Sequence, residues 1–191
     1  MPTRVALGRV GPPLNRYVRR HERRTMLSPR VALTIALLYA GVAISADVPT
    51  LRGRVNDYAG LLQPQMREQL ESRLAHYEQE TTHQIAILTV SSLRGESIEA
   101  FSLRVAKTWA LGRKGLDNGV VVTVAPAEHS VRIELGAGMN RYVSEADAKR
   151  IINDVMIPAF RDGHYDIGLL RGIDRLFEAC RAYKVTPSPT T

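Results

Sequence analysis

Short acidic and amide side chains stand beside glycines in three separate parts of the chain. They are Asn56-Asp57, Asp117-Asn118-Gly119 and Asp162-Gly-His-Tyr-Asp166. Carboxylate, amide and backbone carbonyl oxygens are the ligands that hard divalent cations require. The same residue types also build ordinary turns and helix caps, so each segment alone fits either role. If the three loops meet at one end of a sheet, they predict a divalent-cation site there.

Other residues with chemical potential favour structural roles. Cys180 is the only cysteine, which excludes a cysteine-based zinc site, and its phase with Phe177 indicates a buried small side chain. The sequence contains neither a nucleophile elbow nor a phosphate-binding loop. The histidines show no metal-ligand spacing, and we interpret them as solvated or capping residues; they include His76, His83, His129 and His164.

The segment Gly136-Ala-Gly138 follows a predicted strand and invites a dinucleotide-binding interpretation. Arg141 stands where that fingerprint has its third glycine, and the next helix begins only near Ser144. We therefore interpret these glycines as a sharp exit from the sheet.

The net charge of +7 lies entirely in the first 46 residues. That segment holds eight arginines and one acid, Glu22, whereas residues 47–191 hold 18 basic and 18 acidic side chains. The neutral remainder gives no electrostatic argument for a nucleic-acid partner.

The apolar run 31–44 follows Arg30 and precedes the small residues Ser45-Ala46. At about 1.5 Å per residue it spans roughly 21 Å, less than the ~30 Å hydrocarbon core, which favours a secretory signal peptide over a membrane anchor or a buried helix. We predict a signal peptide over residues 26–46, cut after Ser45 or Ala46. Residues 1–25 form a basic extension without apolar periodicity, and we predict that translation starts at Met26.

The rest of the chain predicts an α/β domain over residues 47–185, followed by a disordered tail, 186–191. Its order of elements argues a three-layer α/β/α sandwich with a central mixed sheet of about four strands. Ser144 is expected to begin a helix that Pro158 limits, and Asp166 to cap the last helix. Apolar periodicity places the other helices and strands at 64–81, 84–90, 98–109, 120–125 and 131–135.

Four blocks of the sequence resemble the TPM domain family, also called the thylakoid-lumen phosphatase-like domain. They are Val55-Asn-Asp-Tyr-Ala-Gly-Leu-Leu62, Gly115-Leu-Asp-Asn-Gly-Val-Val-Val122, Val131-Arg-Ile-Glu-Leu-Gly-Ala-Gly138 and Pro158-Ala-Phe-Arg-Asp-Gly-His-Tyr-Asp166. The resemblance covers about residues 54–183 and implies an α/β/α sandwich with a divalent-cation site, often for calcium, at the acidic loops. It also implies a phosphatase activity, which is claimed for some members. The family often carries a glutamate after its Gly-x-Gly-Leu motif, where this chain has Met139-Asn140.

The family's acidic motif maps onto Asp57, Asp117 and Asn118, and we expect their oxygens within a few ångströms of one another. Asp162 or Asp166 would complete the shell of a calcium ion, with magnesium as the alternative. A separation above about 8 Å between the Asp57 and Asp117 carboxylates would exclude a shared ion, because calcium–oxygen distances are roughly 2.3–2.6 Å.

Two classes of function follow. The first is a monomeric periplasmic or secreted binding module with a divalent-cation site, which maintains envelope or membrane protein complexes and has no transmembrane anchor after signal cleavage. The second is a metal-dependent phosphomonoesterase, in which the cation would lower the pKa of an attacking water.

Overall fold

The computed structural model describes residues 46–183, all of which belong to the same structural unit. The predictions for residues 1–25, for most of the signal peptide and for the tail 186–191 therefore fall outside the described residues. Within residues 46–183, no helix combines the length and the apolar character that crossing a bilayer requires.

Four strands form one mixed sheet in the order β1-β2-β3-β4. Strands β1, β2 and β3 are parallel, and β4 is antiparallel to β3. The predicted α/β class and four-stranded mixed sheet are confirmed. The strands are β1 (Val55–Asp57), β2 (Gln84–Thr89), β3 (Gly119–Ala125) and β4 (Ser130–Leu135).

Helices cover both faces of the sheet. Their bounds are α1 (Pro64–Thr81), α2 (Ile98–Trp109), α3 (Glu145–Arg150), α4 (Ile157–Arg161) and α5 (Tyr165–Ala182). One face buries residues of α1 and α5 against Ile87 and Val122, whereas the other packs Phe101 and Val105 of α2 against Leu88. Alternate residues of β2 therefore face opposite helical layers, as a strand buried on both sides requires.

Strand β1 lies at the edge of the sheet and is covered by α1. The Glu71 carboxylate accepts hydrogen bonds from the backbone N–H groups of Arg54 at 3.0 Å and Val55 at 2.8 Å. It also pairs with the Arg54 guanidinium at 3.3 Å. A side chain of the neighbouring helix thus satisfies backbone donors at an edge where no further strand of residues 46–183 pairs.

The helix after Ser144 begins as predicted, but the helical path continues beyond Pro158 through two further segments. Ser144 and Asp147 form a reciprocal capping box, and the Ser144 hydroxyl, with Arg150, lowers the pKa of Asp147 to about 2. The prediction that Pro158 limits this helix is wrong, because a π-helical segment, Ile151–Met156, leads into α4. Its wider turn lets the helical path continue past a residue that lacks a backbone donor.

Candidate functional site

The strand register separates the residues predicted to share one cation. Asp57 ends β1 and is level with Thr89, whereas Gln84 is level with Gly119, the residue after Asn118. The step from Gln84 to Thr89 corresponds to about 17 Å at roughly 3.3 Å per residue. Asp57 therefore lies at the carboxyl edge of the parallel strands, and Asp117-Asn118 at the opposite edge. The predicted convergence is wrong, and a shared mononuclear site is excluded.

Asp57 closes the turn between β1 and α1. One carboxylate oxygen accepts from the backbone N–H of Leu61 and the other from that of Leu62, both at 3.0 Å. The Thr89 hydroxyl, at the end of β2, donates to the first of these oxygens at 2.5 Å. These three donors account for the position of Asp57 by turn chemistry alone.

Asn118 is also committed to the fold. Its side chain is buried, and its carbonyl oxygen accepts from the backbone N–H of Arg113 at 2.8 Å. Its amide nitrogen donates to the backbone oxygen of Thr82 at 2.8 Å, and so joins the loop before β3 to the end of α1. Asn118 could have been a cation ligand or a structural turn residue, and these hydrogen bonds support the structural role.

Asp117 differs from its neighbour. It is exposed, adopts a left-handed φ of 47°, and its carboxylate makes no hydrogen bond or ion pair within residues 46–183. It lines a cleft of about 280 Å³ between α2 and the sheet, together with Glu134 and Lys107. The carboxylate oxygens of Asp117 are thus available to a ligand.

The segment Gly136–Gly138 holds the loop of Asp117 in place. Gly138 donates its backbone N–H to the Asp117 carbonyl at 3.0 Å, and Gly136 donates to the Gly119 carbonyl at 2.8 Å. A Cβ at Gly138 would lie 1.8 Å from the backbone oxygen of Leu116, and one at Gly136 would lie 2.2 Å from that of Asp117. Gly136 and Gly138 were predicted to let the chain leave the sheet sharply. Their missing side chains also allow two backbone segments to lie in close contact.

Asp162 and Asp166 lie away from Asp117. Asp162 is exposed at the end of α4, and Asp166 is in the first turn of α5. Tyr165, the first residue of α5, lines a cleft with Val124 and Ala125, at the carboxyl end of β3. His164 occupies the cap position that we predicted for Asp166, whose carboxylate instead accepts from the N–H of Ile167 at 2.8 Å. Among residues 46–183, no group of three acidic, histidine or cysteine side chains is arranged for a metal ion.

Tyr77 and His83 form a buried pair near Cys180 that the sequence did not predict. His83 is buried, with its Nδ1 3.2 Å from the Tyr77 hydroxyl, so the prediction that it is solvated or capping is wrong. Burial, followed by the contact with Cys180, raises the pKa of the Tyr77 phenol, and burial raises that of the Cys180 thiol. Both groups stay neutral near pH 7, which suits packing and not nucleophilic attack. The predicted burial of Cys180 is confirmed.

The sequence did not indicate that Glu134 and Lys107 would line the same cleft as Asp117. The alternating pattern of β4 places Glu134 on its wetter face, and this was the available signal. Glu134 pairs with Arg132 at 2.9 Å through one oxygen, Oε2. The lining of this cleft therefore includes two acidic residues and one lysine, a mixed set of low net charge.

The comparisons agree with this architecture. A family model described as the TPM domain matches residues 55–179. The N-terminal domain of a P. gingivalis protein has 31% identity and a TM-score of 0.63, over 67% of this chain and 82% of that one. A protein from Bizionia argentinensis has 20% identity and a TM-score of 0.56, over 64% and 83% of the two chains.

A third solved structure, the N-terminal domain of a Corynebacterium glutamicum protein, has 17% identity and a TM-score of 0.53, over 76% of this chain and 90% of that one. At this identity, and at that of the Bizionia protein, the likeness shows the fold alone. Among curated proteins, no significant match to the sequence is found.

Proposed function

Because the chain belongs to the TPM domain family, we propose that it is an exported binding module that serves envelope or membrane protein complexes without transforming a substrate. The signal-peptide pattern of residues 26–46 supports a periplasmic or secreted location. The dispersal of the acidic residues between the two sheet edges carries the proposal, because among residues 46–183 it leaves no group of three acidic, histidine or cysteine side chains arranged for a metal ion. The module acts as a monomer.

Three hydrogen-bonded polar pairs have structural roles, which supports binding over catalysis. The hydroxyl–carboxylate pair Ser144–Asp147 closes a helix cap, and the pair Thr89–Asp57 closes a turn. The Tyr77–His83 pair is buried. A nucleophile needs an activating base and access to a substrate, and each of these pairs has a structural role instead.

We expect a generic phosphomonoester to be hydrolysed at the background rate. The measurement compares turnover with calcium, with magnesium and with a chelator, in the wild-type protein and in Asp117→Ala. Metal-dependent turnover that falls in Asp117→Ala would establish the metal-dependent phosphatase instead. Equal turnover in both proteins at every condition indicates no reaction at this site.

The cation is proposed to bind at Asp117, in the cleft that Glu134 and Lys107 also line. Calcium is favoured and magnesium is the alternative, because both take oxygen ligands and calcium tolerates irregular geometry. The free carboxylate of Asp117, in a cleft whose Glu134 is already paired with Arg132, favours a weak site, with a Kd of about 10⁻⁴–10⁻³ M as in extracellular modules. Asp57 and Asn118 have no place in this site, since both are committed to the fold.

Calcium is expected to raise the melting temperature of the wild-type protein by a few degrees. At a tenfold excess over Kd, binding to the folded state adds about 1.4 kcal/mol of stability. Differential scanning fluorimetry at millimolar calcium should show that Asp117→Asn loses this gain. Lys107→Gln should enlarge it, because a competing ammonium leaves the cleft.

Asp57→Asn is the matched control for the same measurement. It removes a carboxylate at the opposite sheet edge, so the calcium gain should persist on a lower baseline. Loss of the gain in Asp57→Asn together with its retention in Asp117→Asn would contradict the assignment to Asp117.

A further inference from the structure

The first described residues form a strap across α2, which we define as residues 46–49. At one end, the Ala46 carbonyl accepts from Arg104 Nη2 at 2.6 Å. At the other end, the Pro49 carbonyl accepts from the Trp109 indole N–H at 2.8 Å. Ala46 is 5% exposed, and both it and Val48 pack into the apolar cluster under α2. The strap is therefore part of the fold.

The donor that holds Ala46 is itself fixed in orientation. Arg104 donates to the two carboxylate oxygens of Glu96 at 3.0 Å from Nε and 2.7 Å from Nη2. Its guanidinium also lies over the Phe101 ring, 5.5 Å from the ring centre. A guanidinium held in two-pronged contact with a carboxylate presents its remaining donors in a set direction. The Ala46 carbonyl thus meets a prepared donor.

The predicted signal peptide could be cut after Ser45 or after Ala46. The two cuts differ in whether the mature chain keeps Ala46. A cut after Ala46 would remove the Ala46 carbonyl and methyl group from the mature chain, leaving Arg104 without that acceptor. A cut after Ser45 retains both groups. The sequence also favours cleavage between Ser45 and Ala46, because Ala43 and Ser45 are small residues at the third and first positions before that bond. For the cut after Ala46, the third position is the bulkier Ile44.

We propose that the exported chain is cut between Ser45 and Ala46, so that the mature protein begins with the strap. This inference rests on the proposed export. A signal endopeptidase of the exporting cell would add one water across the bond. Ser45 leaves with the leader as a carboxylate, which takes the oxygen of the water, and the Ala46 nitrogen takes both of its hydrogens and becomes the new terminal ammonium group.

Two substitutions in the full chain distinguish the bonds. With the cut after Ser45, Ser45→Val places a β-branched side chain at the position that requires a small one, and the precursor should accumulate. Ala46→Val then changes only the residue after the cut, and processing should continue to yield a chain that begins with the substituted residue. If the cut follows Ala46, the two results are exchanged, which would overturn the proposal.

The measurement is the intact mass and the N-terminal sequence of the total protein from an exporting bacterial host, analysed after denaturation. Denaturation keeps the result readable even if the larger side chain of Ala46→Val disturbs the fold. A wild-type product that begins with Ala46 supports the proposal. A wild-type product that begins at Asp47 or elsewhere overturns it while export stands. Unprocessed precursor retained inside the cell overturns both the cut and the proposed export.

Discussion

Gly138→Ala is expected to lower the free energy of unfolding by about 2–4 kcal/mol, from steric overlap and a weakened backbone hydrogen bond. The added Cβ would lie 1.8 Å from the backbone oxygen of Leu116, and a backbone atom cannot rotate away as a side chain can. The loop must move, and the bond from Gly138 N–H to the Asp117 carbonyl weakens with it. Denaturant unfolding measures the loss.

Ala137→Ser is the control for this prediction, because Ala137 is exposed in the same short turn. Its effect should stay within about 0.5 kcal/mol. Gly138→Ala should also abolish the calcium-dependent gain in melting temperature, since it displaces Asp117. A Gly138→Ala protein as stable as Ala137→Ser would show that the two backbone segments are not in the close contact described.

Asp57→Ala is expected to destabilise the protein by about 2–4 kcal/mol, because hydrogen bonds to a charged acceptor are worth about 1.5–3 kcal/mol each and their losses overlap. The substitution leaves the backbone N–H groups of Leu61 and Leu62 without their acceptor. Thermal and denaturant unfolding should give the same loss with calcium and with a chelator, since Asp57 lies outside the proposed cation site.

A double-mutant cycle with Thr89→Val tests the cause of that loss. The Thr89 hydroxyl donates to Asp57 and accepts from the backbone N–H of Ala59 at 3.0 Å. The two substitutions should therefore be non-additive by about 0.5 kcal/mol or more, as for residues in one hydrogen-bond network. Strict additivity, or a loss that appears only with calcium, would contradict the structural role of Asp57.

The long elements could be predicted from the sequence because their periodicity is the same property that packs the core. Helix α1 begins at Pro64 and ends at Thr81 as its apolar spacing predicts, and Leu70, Leu74 and Tyr77 are its buried residues. Strand β1 could not be recognised in the same way, since three residues are too few to show alternation.

The error in the predicted site follows from that missed strand. Asp57 ends a strand, whereas Asn118 precedes one. Once β1 and β3 run in the same direction, residues at the end of one and before the start of the other must lie at opposite sheet edges. The residue types were compatible with cation ligands, but strand direction decides which of them can meet. His83 was misread for a related reason, because its buried partner Tyr77 lies in a preceding helix and no local pattern joins them.

The coverage of β1 by Glu71 has a consequence for self-association. Exposed edge strands offer unpaired N–H groups to strands of other molecules, which is a common route to aggregation. Here an incoming strand would have to displace a carboxylate from the amides of Arg54 and Val55 and bring its own carbonyl oxygens close to that negative charge. At this end of the sheet, an ionic side chain thus protects the molecule from fibril-like growth at high local concentration.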